Sequence, residues 1–229
     1  MRSLGRGRVR RATLAATWGL CLSMGVASCS ASHPSGKESE RKPYVRADEV
    51  CDGLFVGRLA GMVEDVTGHK IFSGASNGMK DVVESLKTGY ASGHLWAAGD
   101  TLCRLSPKGA RPTDVSGEVA FSMYHPADLE EEAPSSAIKR YGMGKIATSG
   151  QGGASLYFEC VTPKLQGSEE SPLRIAGGFI RGKSSVPDTS EYRDAKMIIL
   201  HAMSLMVTEK LECENNAGLP ETPVLTPSS

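Results

Sequence analysis

Two short stretches carry residues whose types and spacing could do chemistry. Gly74-Ala75-Ser76-Asn77-Gly78 fits G-x-S-x-G, the sharp turn that lifts a nucleophilic serine between a strand and a helix. HKIF before it and MKDVVESLK after it outline that context. A hydrolase built on Ser76 would draw its base from His94, His125 or His201. Its acid would come from Asp100, Asp114, Asp188 or Asp194. Against this, an α/β-hydrolase lays down most of its parallel sheet before the elbow, and only one helical stretch precedes Ser76. The simpler reading is a Gly/Ser/Asn loop.

The second stretch is GGFIRGKSS (177–185), in which Gly177, Gly182, Lys183 and Ser184 fit G-x-x-x-x-G-K-[ST]. A phosphate-binding loop runs from a strand directly into a helix, whose N-terminal N–H groups hold the phosphates. LRIA supplies the strand, but Pro187 disfavours a helical conformation at Val186. No nucleotide site and no cofactor are expected here.

The elements that would position these residues are of two kinds. ADEVCDGLFVGRLAGMVEDVTG places Cys51, Phe55, Leu59, Met62 and Val66 at helical spacing and ends on Thr67-Gly68. A second helix is expected over 79–87. Five runs rich in Val, Ile, Tyr and Phe follow: LWAAGDTLCRLS, GEVAFSMYH, GKIATSG, ASLYFECVT and LRIAGGFIRG. The gaps between them hold no crossover helix, so they read as an antiparallel sheet. SEYRDAKMIILHAMSLMVTEKLEC is the strongest helix. It has a core-facing stripe at Ala195, Ile198, Ile199, Ala202, Leu205 and Met206, and Asp188 or Ser190 is available as its cap. His201 lies inside that apolar helix and reads as a hydrogen-bonded packing residue. The expected fold is α+β: an antiparallel sheet of about five strands, N- and C-terminal helices on one face, and two disulfides.

GYASGHLW brackets Tyr90 and Trp96, which could form a partly exposed aromatic patch, although a tryptophan in such a stretch is usually buried. The acidic run DLEEEAP (128–134) is most simply a solvated loop, though three glutamates could engage a basic partner. His69, His94 and His125 are too scattered for a metal site.

The beginning of the chain concerns its destination. Five arginines precede an apolar stretch from about Leu14 to Val26, which is shorter than the roughly 20 residues of a membrane span. A basic region, a short apolar core and small residues at its end make an export signal. Val26-Ala27-Ser28-Cys29 resembles a bacterial lipobox, which implies cleavage after Ser28 and an acylated Cys29. Arg10-Arg11 leaves the twin-arginine route open alongside the general one. Those five arginines are the only charges in residues 1–28. Without them 21 basic side chains face 26 acidic ones, a net charge of −5. A mildly acidic domain has no electrostatic footprint for nucleic acid and gains nothing from anionic lipid, so the acyl chains would hold it. The expected organisation is a lipoprotein signal (1–28), a polar tether (29–45), one domain (46–217) and a disordered tail (218–229).

Within the domain, Cys51, Cys103, Cys160 and Cys213 are even in number, which in an oxidising compartment argues for two disulfides. No CxxC pair favours zinc. Four cysteines allow three connectivities. Antiparallel packing of the first and last helices would bring Cys51 to Cys213 and leave Cys103 to join Cys160 across two strands.

The leading arginines, VASC and four later cysteines are similar to the small exported lipoproteins of high-GC Gram-positive bacteria. EVCDGLF resembles the opening of a loose actinobacterial group of them. The likeness covers the N-terminal quarter and implies no catalytic residues. The expected function is a non-enzymatic binding or accessory module at the outer face of the cell membrane. Its expected partners are the bilayer, through Cys29, and an envelope protein. The alternative is the small serine hydrolase using Ser76.

Overall fold

The computed structural model describes residues 43–111, 113–129, 137–182 and 184–226. Cys29, the leader, most of the tether, Lys183 and the glutamates Glu130, Glu131 and Glu132 lie outside them. Strands β1 (Tyr44–Arg46) and β2 (Ile71–Ser73) form an antiparallel ribbon, with α1 (Val50–Gly53) and α2 (Arg58–Thr67) between them. Helix α3 (Met79–Ala91) leads into the main sheet. Its strands are β3 (Ala97–Leu105), β4 (Gly117–Met123), β5 (Ile138–Tyr141), β6 (Ile146–Gly150), β7 (Gly153–Cys160) and β8 (Leu173–Arg181). Helix α4 (Ser190–Leu211) follows. The spatial order is β3-β4-β8-β7-β6-β5, and every neighbouring pair is antiparallel.

This is the expected α+β architecture with six strands in the sheet. Side chains alternate across a pleated strand, and β4, β7 and β8 follow that rule. Val119, Phe121, Leu156, Phe158, Ile175 and Phe179 point into the core, while Ala120, Ser122, Ser155 and Gly178 lie half-buried on the opposite face. Helix α3 packs on β3 and β4, and α4 packs on β6, β7 and β8. Both helices cover the same face. A Cβ at Gly177 would touch Phe121 and Leu200 of α4, and one at Gly89 of α3 would touch Met123, which shares the Phe121 face of β4. All five phenylalanines are buried, each contributing roughly 1.5–3 kcal/mol.

The expected first helix is two pieces. Cys51, Asp52, Gly53 and Gly57 all take positive φ, so the chain turns between α1 and α2. Gly68, left-handed and bonded back to Glu64, ends α2 where Thr67-Gly68 predicted. That break explains a correction. The four cysteines form two disulfides, but the pairs are Cys51–Cys103 and Cys160–Cys213, with Cα–Cα distances of 5.7 and 5.2 Å. They replace the expected Cys51–Cys213 and Cys103–Cys160. The α1 turn presents Cys51 to β3, not to the end of α4. Beyond α4, left-handed Glu212 turns the chain so that Glu214 N–H donates to Val161 O at 2.8 Å, which seats Cys213 beside the end of β7.

Helix α4 is capped by Thr189, whose hydroxyl accepts from Tyr192 N–H at 3.2 Å. Neither Asp188 nor Ser190 has that role. Its deepest face runs through Lys196, Ile199, Leu200, Met203, Val207 and Leu211. Of the expected stripe, Ile198 and Ile199 are buried and Ala195, Ala202, Leu205 and Met206 are partly buried against the core, because the sheet and α2 together cover the helix on most sides. The following segment differs from the expected tail over its described residues. Leu219 is buried, Leu225 packs against the core, and His201 Nε2 donates to Pro220 O at 2.9 Å. That bond gives His201 the expected role. No helix among the described residues is long and apolar enough to cross a membrane.

Candidate functional site

Ser76 is an exposed residue of the loop between β2 and α3, and its φ is not positive. The strand before it belongs to a two-stranded ribbon. The loop is shaped by its neighbours: Asn77 donates to Asp52 Oδ2 from both backbone and side chain at 3.1 Å, and Gly78 N–H donates to Leu102 O at 2.8 Å. A Cβ at Gly78 would lie 2.1 Å from Thr101 O, so this glycine lets the loop press against β3. Among the described residues no hydrogen bond joins Ser76 to a histidine. His201 is engaged by Pro220, His125 Nδ1 accepts from Ala127 N–H at 3.1 Å, and His94 sits in the α3–β3 loop. The acids are likewise apart. Asp114 pairs with Arg111, Asp188 with Arg193, and Asp194 with Lys139. A serine hydroxyl with no base beside it is a poor nucleophile.

The Gly-Lys-Ser stretch is explained by packing. A Cβ at Gly182 would lie 1.7 Å from Val115 O, and one at Gly177 would lie 2.8 Å from the Phe121 ring. Beyond it the chain stays irregular to Thr189, held by the Arg181 guanidinium donating to Ser184 O and Val186 O at 2.9 and 2.7 Å. The helix N-terminus that a phosphate loop requires begins only at Ser190. Among the described residues no group of three or more His, Cys, Asp or Glu side chains is placed to hold a metal ion.

The chemistry that remains accessible lies at the end of the sheet where β7 finishes and β8 begins. Two depressions there both include Pro172 in their walls. The larger, about 480 Å³, is lined by Lys145, Phe158, Glu159, Glu214 and Asn215. The smaller, about 220 Å³, is lined by Tyr90, His94, Leu95, Met123, Ser171 and Arg174. Their register is set by the pairing of Glu159 with Arg174 across β7 and β8. Glu159 binds Lys145 at 2.7 Å and accepts from the Tyr124 hydroxyl at 3.4 Å. Tyr124 in turn stacks edge-on against Tyr157, their centroids 5.2 Å apart. Burial first, and the charge of Glu159 second, push the Tyr124 hydroxyl well above its usual range, so it stays protonated and donates.

Arg174 is different. Among the described residues it has no ion-pair partner, and its Nε is buried with no acceptor. The wall opposite it is built by α3. The Tyr90 hydroxyl donates to Ser171 O at 2.9 Å, and Ser92 Oγ donates to Gly89 O at 2.6 Å. Left-handed Gly93 then turns the chain so that Leu95 and Trp96 emerge 52% and 60% exposed. The expected burial of Trp96 is thereby corrected. The helix C-terminus leaves this loop on the rim, outside the packed layer between α3 and the sheet.

A second cluster of charge, at the start of α4, is occupied internally. Asp188 and Arg193 make a bidentate pair, Asp194 takes Lys139 at 2.6 Å and the Tyr141 hydroxyl at 2.9 Å, and buried Lys196 donates to Gly150 O. Sequence reasoning singled out neither Arg174 nor Lys196. The signal for Arg174 was its position in LRIAGGFIR, where the strand alternation turns it away from the core. Lys196 interrupts an otherwise apolar face of α4. Comparison with known protein families, curated proteins and solved structures gives no match to this chain.

Proposed function

We propose that the chain is a membrane-anchored extracytoplasmic lipoprotein. Its domain serves as a binding or accessory module, held at the outer face of the cell membrane by acylated Cys29. The observation that carries this reading is the oxidation state of the domain. Cys51, Cys103, Cys160 and Cys213 are all spent in disulfides, the usual state of an exported domain and a rare one in a reducing cytoplasm. It supports the reading of the leader as an export signal, and VASC at the leader's end supports Cys29 as the lipid-bearing residue.

Binding as the role is supported by the paired depressions around Pro172, by Leu95 in the same lining as Arg174, which is unpaired among the described residues, and by the exposed Trp96 that follows Leu95. Large exposed apolar side chains next to a cleft mark interaction sites. Metabolic labelling with a palmitate analogue tests the anchor. Wild type should be labelled and should sediment with membranes, and Cys29→Ser should do neither. Equal labelling of the two proteins would remove the anchor from the reading.

A further inference from the structure

We propose that the depression at Arg174 takes a carboxylate from an acidic segment of a partner protein, with a neighbouring apolar side chain of that segment laid on Leu95 and Trp96. The proposal rests on the binding-module reading and names its ligand chemistry. Three observations converge. Arg174 is half-buried with no ion-pair partner among the described residues, a desolvation cost that an anion meeting its guanidinium from the depression would offset. Among the described residues the carboxylate opposite it across the strands, Glu159, is already taken by Lys145 and Tyr124. The walls of the depression contain no carboxylate, so nothing within it competes for Arg174.

Size and charge narrow the occupant. About 220 Å³ is below the roughly 300–1,000 Å³ of sites that enclose a free small molecule, so it suits one side-chain-sized group presented by a larger partner. The planar fork of arginine matches a carboxylate with two parallel hydrogen bonds. Arg174 is the sole Lys or Arg in the lining, which balances a singly charged carboxylate better than a phosphate. Leu95 lines the depression together with Arg174, and Trp96, the next residue in the chain, is also exposed, so the pair can supply the apolar contact area typical of interface anchors.

The test uses the exported full chain in detergent and follows the ¹⁵N–¹H resonance of the Trp96 indole during titration. The probes are N-acetyl-leucine, N-acetyl-leucinamide and inorganic phosphate. The expected result is a saturable shift with N-acetyl-leucine and an apparent affinity for the amide about tenfold or more weaker, the scale of a lost charge-assisted bond. Arg174→Gln should lose the difference between acid and amide. Arg174→Lys, which keeps the charge without the fork, should keep part of it. Circular dichroism identifies any variant that fails to fold, and the acid-against-amide comparison on wild type stands without the variants. Equal shifts with acid and amide, a stronger response to phosphate than to carboxylate, or no saturable shift each overturn the proposal. Cys29→Ser should leave the titration unchanged, so failure of the lipid anchor and failure of this site are read separately.

Discussion

The ammonium of Lys196 lies 4.4 Å from the centre of the Tyr192 ring, and both side chains are buried at the start of α4. Burial is the main force on this lysine and pulls its pKa from 10.5 down to about 8. Asp188 opposes the shift, and Arg181 and Arg193 reinforce it. The unfolded chain therefore binds the Lys196 proton more tightly than the folded one. Between about pH 8 and pH 10.4 the unfolded state carries more protons, so this group's contribution to stability rises with pH. Below pH 8 its full penalty applies. Lys196→Met should raise the unfolding free energy at pH 7 by about 1 kcal/mol or more, the outcome seen when a buried charge gives way to an apolar isostere. Urea denaturation at pH 7 and pH 10 should show the gain shrinking at the higher pH. A gain independent of pH would refute the assignment.

Among the described residues the buried Tyr192 hydroxyl has no partner. Tyr192→Phe removes that orphan and should leave stability unchanged or raise it by about 1 kcal/mol. A loss of more than about 1 kcal/mol in a thermal melt would mean that the hydroxyl is satisfied after all.

The middle and the end of the GASNG loop should respond differently. Gly78→Ala drives a methyl group into Thr101 O, and backbone cannot yield as a flexible side chain can. Destabilisation of about 1–3 kcal/mol is expected. Ser76→Ala should change stability by no more than about 0.5 kcal/mol, and wild type should ignore a fluorophosphonate probe. Stoichiometric labelling that depends on Ser76 would restore the hydrolase.

Non-reducing peptide mapping should recover Cys51 with Cys103 and Cys160 with Cys213. The pairs are separated by 52 and 53 residues. In the chain-entropy account each should restrict the unfolded state by about 4 kcal/mol. Removing either pair as a double serine variant should lower the unfolding free energy by a similar amount, read as a lower denaturation midpoint, and a midpoint that does not move would count against both.

Acid should loosen the segment after α4 first. Desolvation holds the His201 pKa below 6.5, with the Pro220 carbonyl acting weakly the other way. A histidine depressed in the folded state gives stability that is fully present above the unfolded pKa and is lost as pH falls below about 6.5. Amide exchange around Leu219 should accelerate across that range before the sheet opens. Leu219→Ala should cost about 2–3 kcal/mol, as for a buried leucine.

Layer order and strand type were legible because they rest on periodicity. The runs around Val119, Leu156 and Ile175 alternate strictly, and α4 keeps an apolar helical spacing broken on its buried side by Lys196. What escaped depended on single residues or on distance. Strand β5 is four residues and polar, and β1 and β2 are three residues each, too short for alternation to register. The break at Cys51 and Asp52 places non-glycine residues at positive φ, which helical spacing alone cannot foresee. The disulfide partners followed from that break and were lost with it. Trp96 was assigned to the core by its type, and the turn at Gly93 carried it to the rim. Arg174 became distinctive only once Glu159 was seen to be taken by Lys145.

The two crosslinks have a further consequence for how the protein is made. A chain emerging N-terminus first exposes its domain thiols in the order 51, 103, 160, 213, and each native bond joins a thiol to the next one to arrive. Under the proposed export of an unfolded chain by the general route, an oxidase that simply couples successive thiols as they emerge would produce the native connectivity, and the first covalent loop could be sealed before residue 160 appears. Pairs that follow chain order ask for thiol oxidation and not for the reshuffling of wrong bonds.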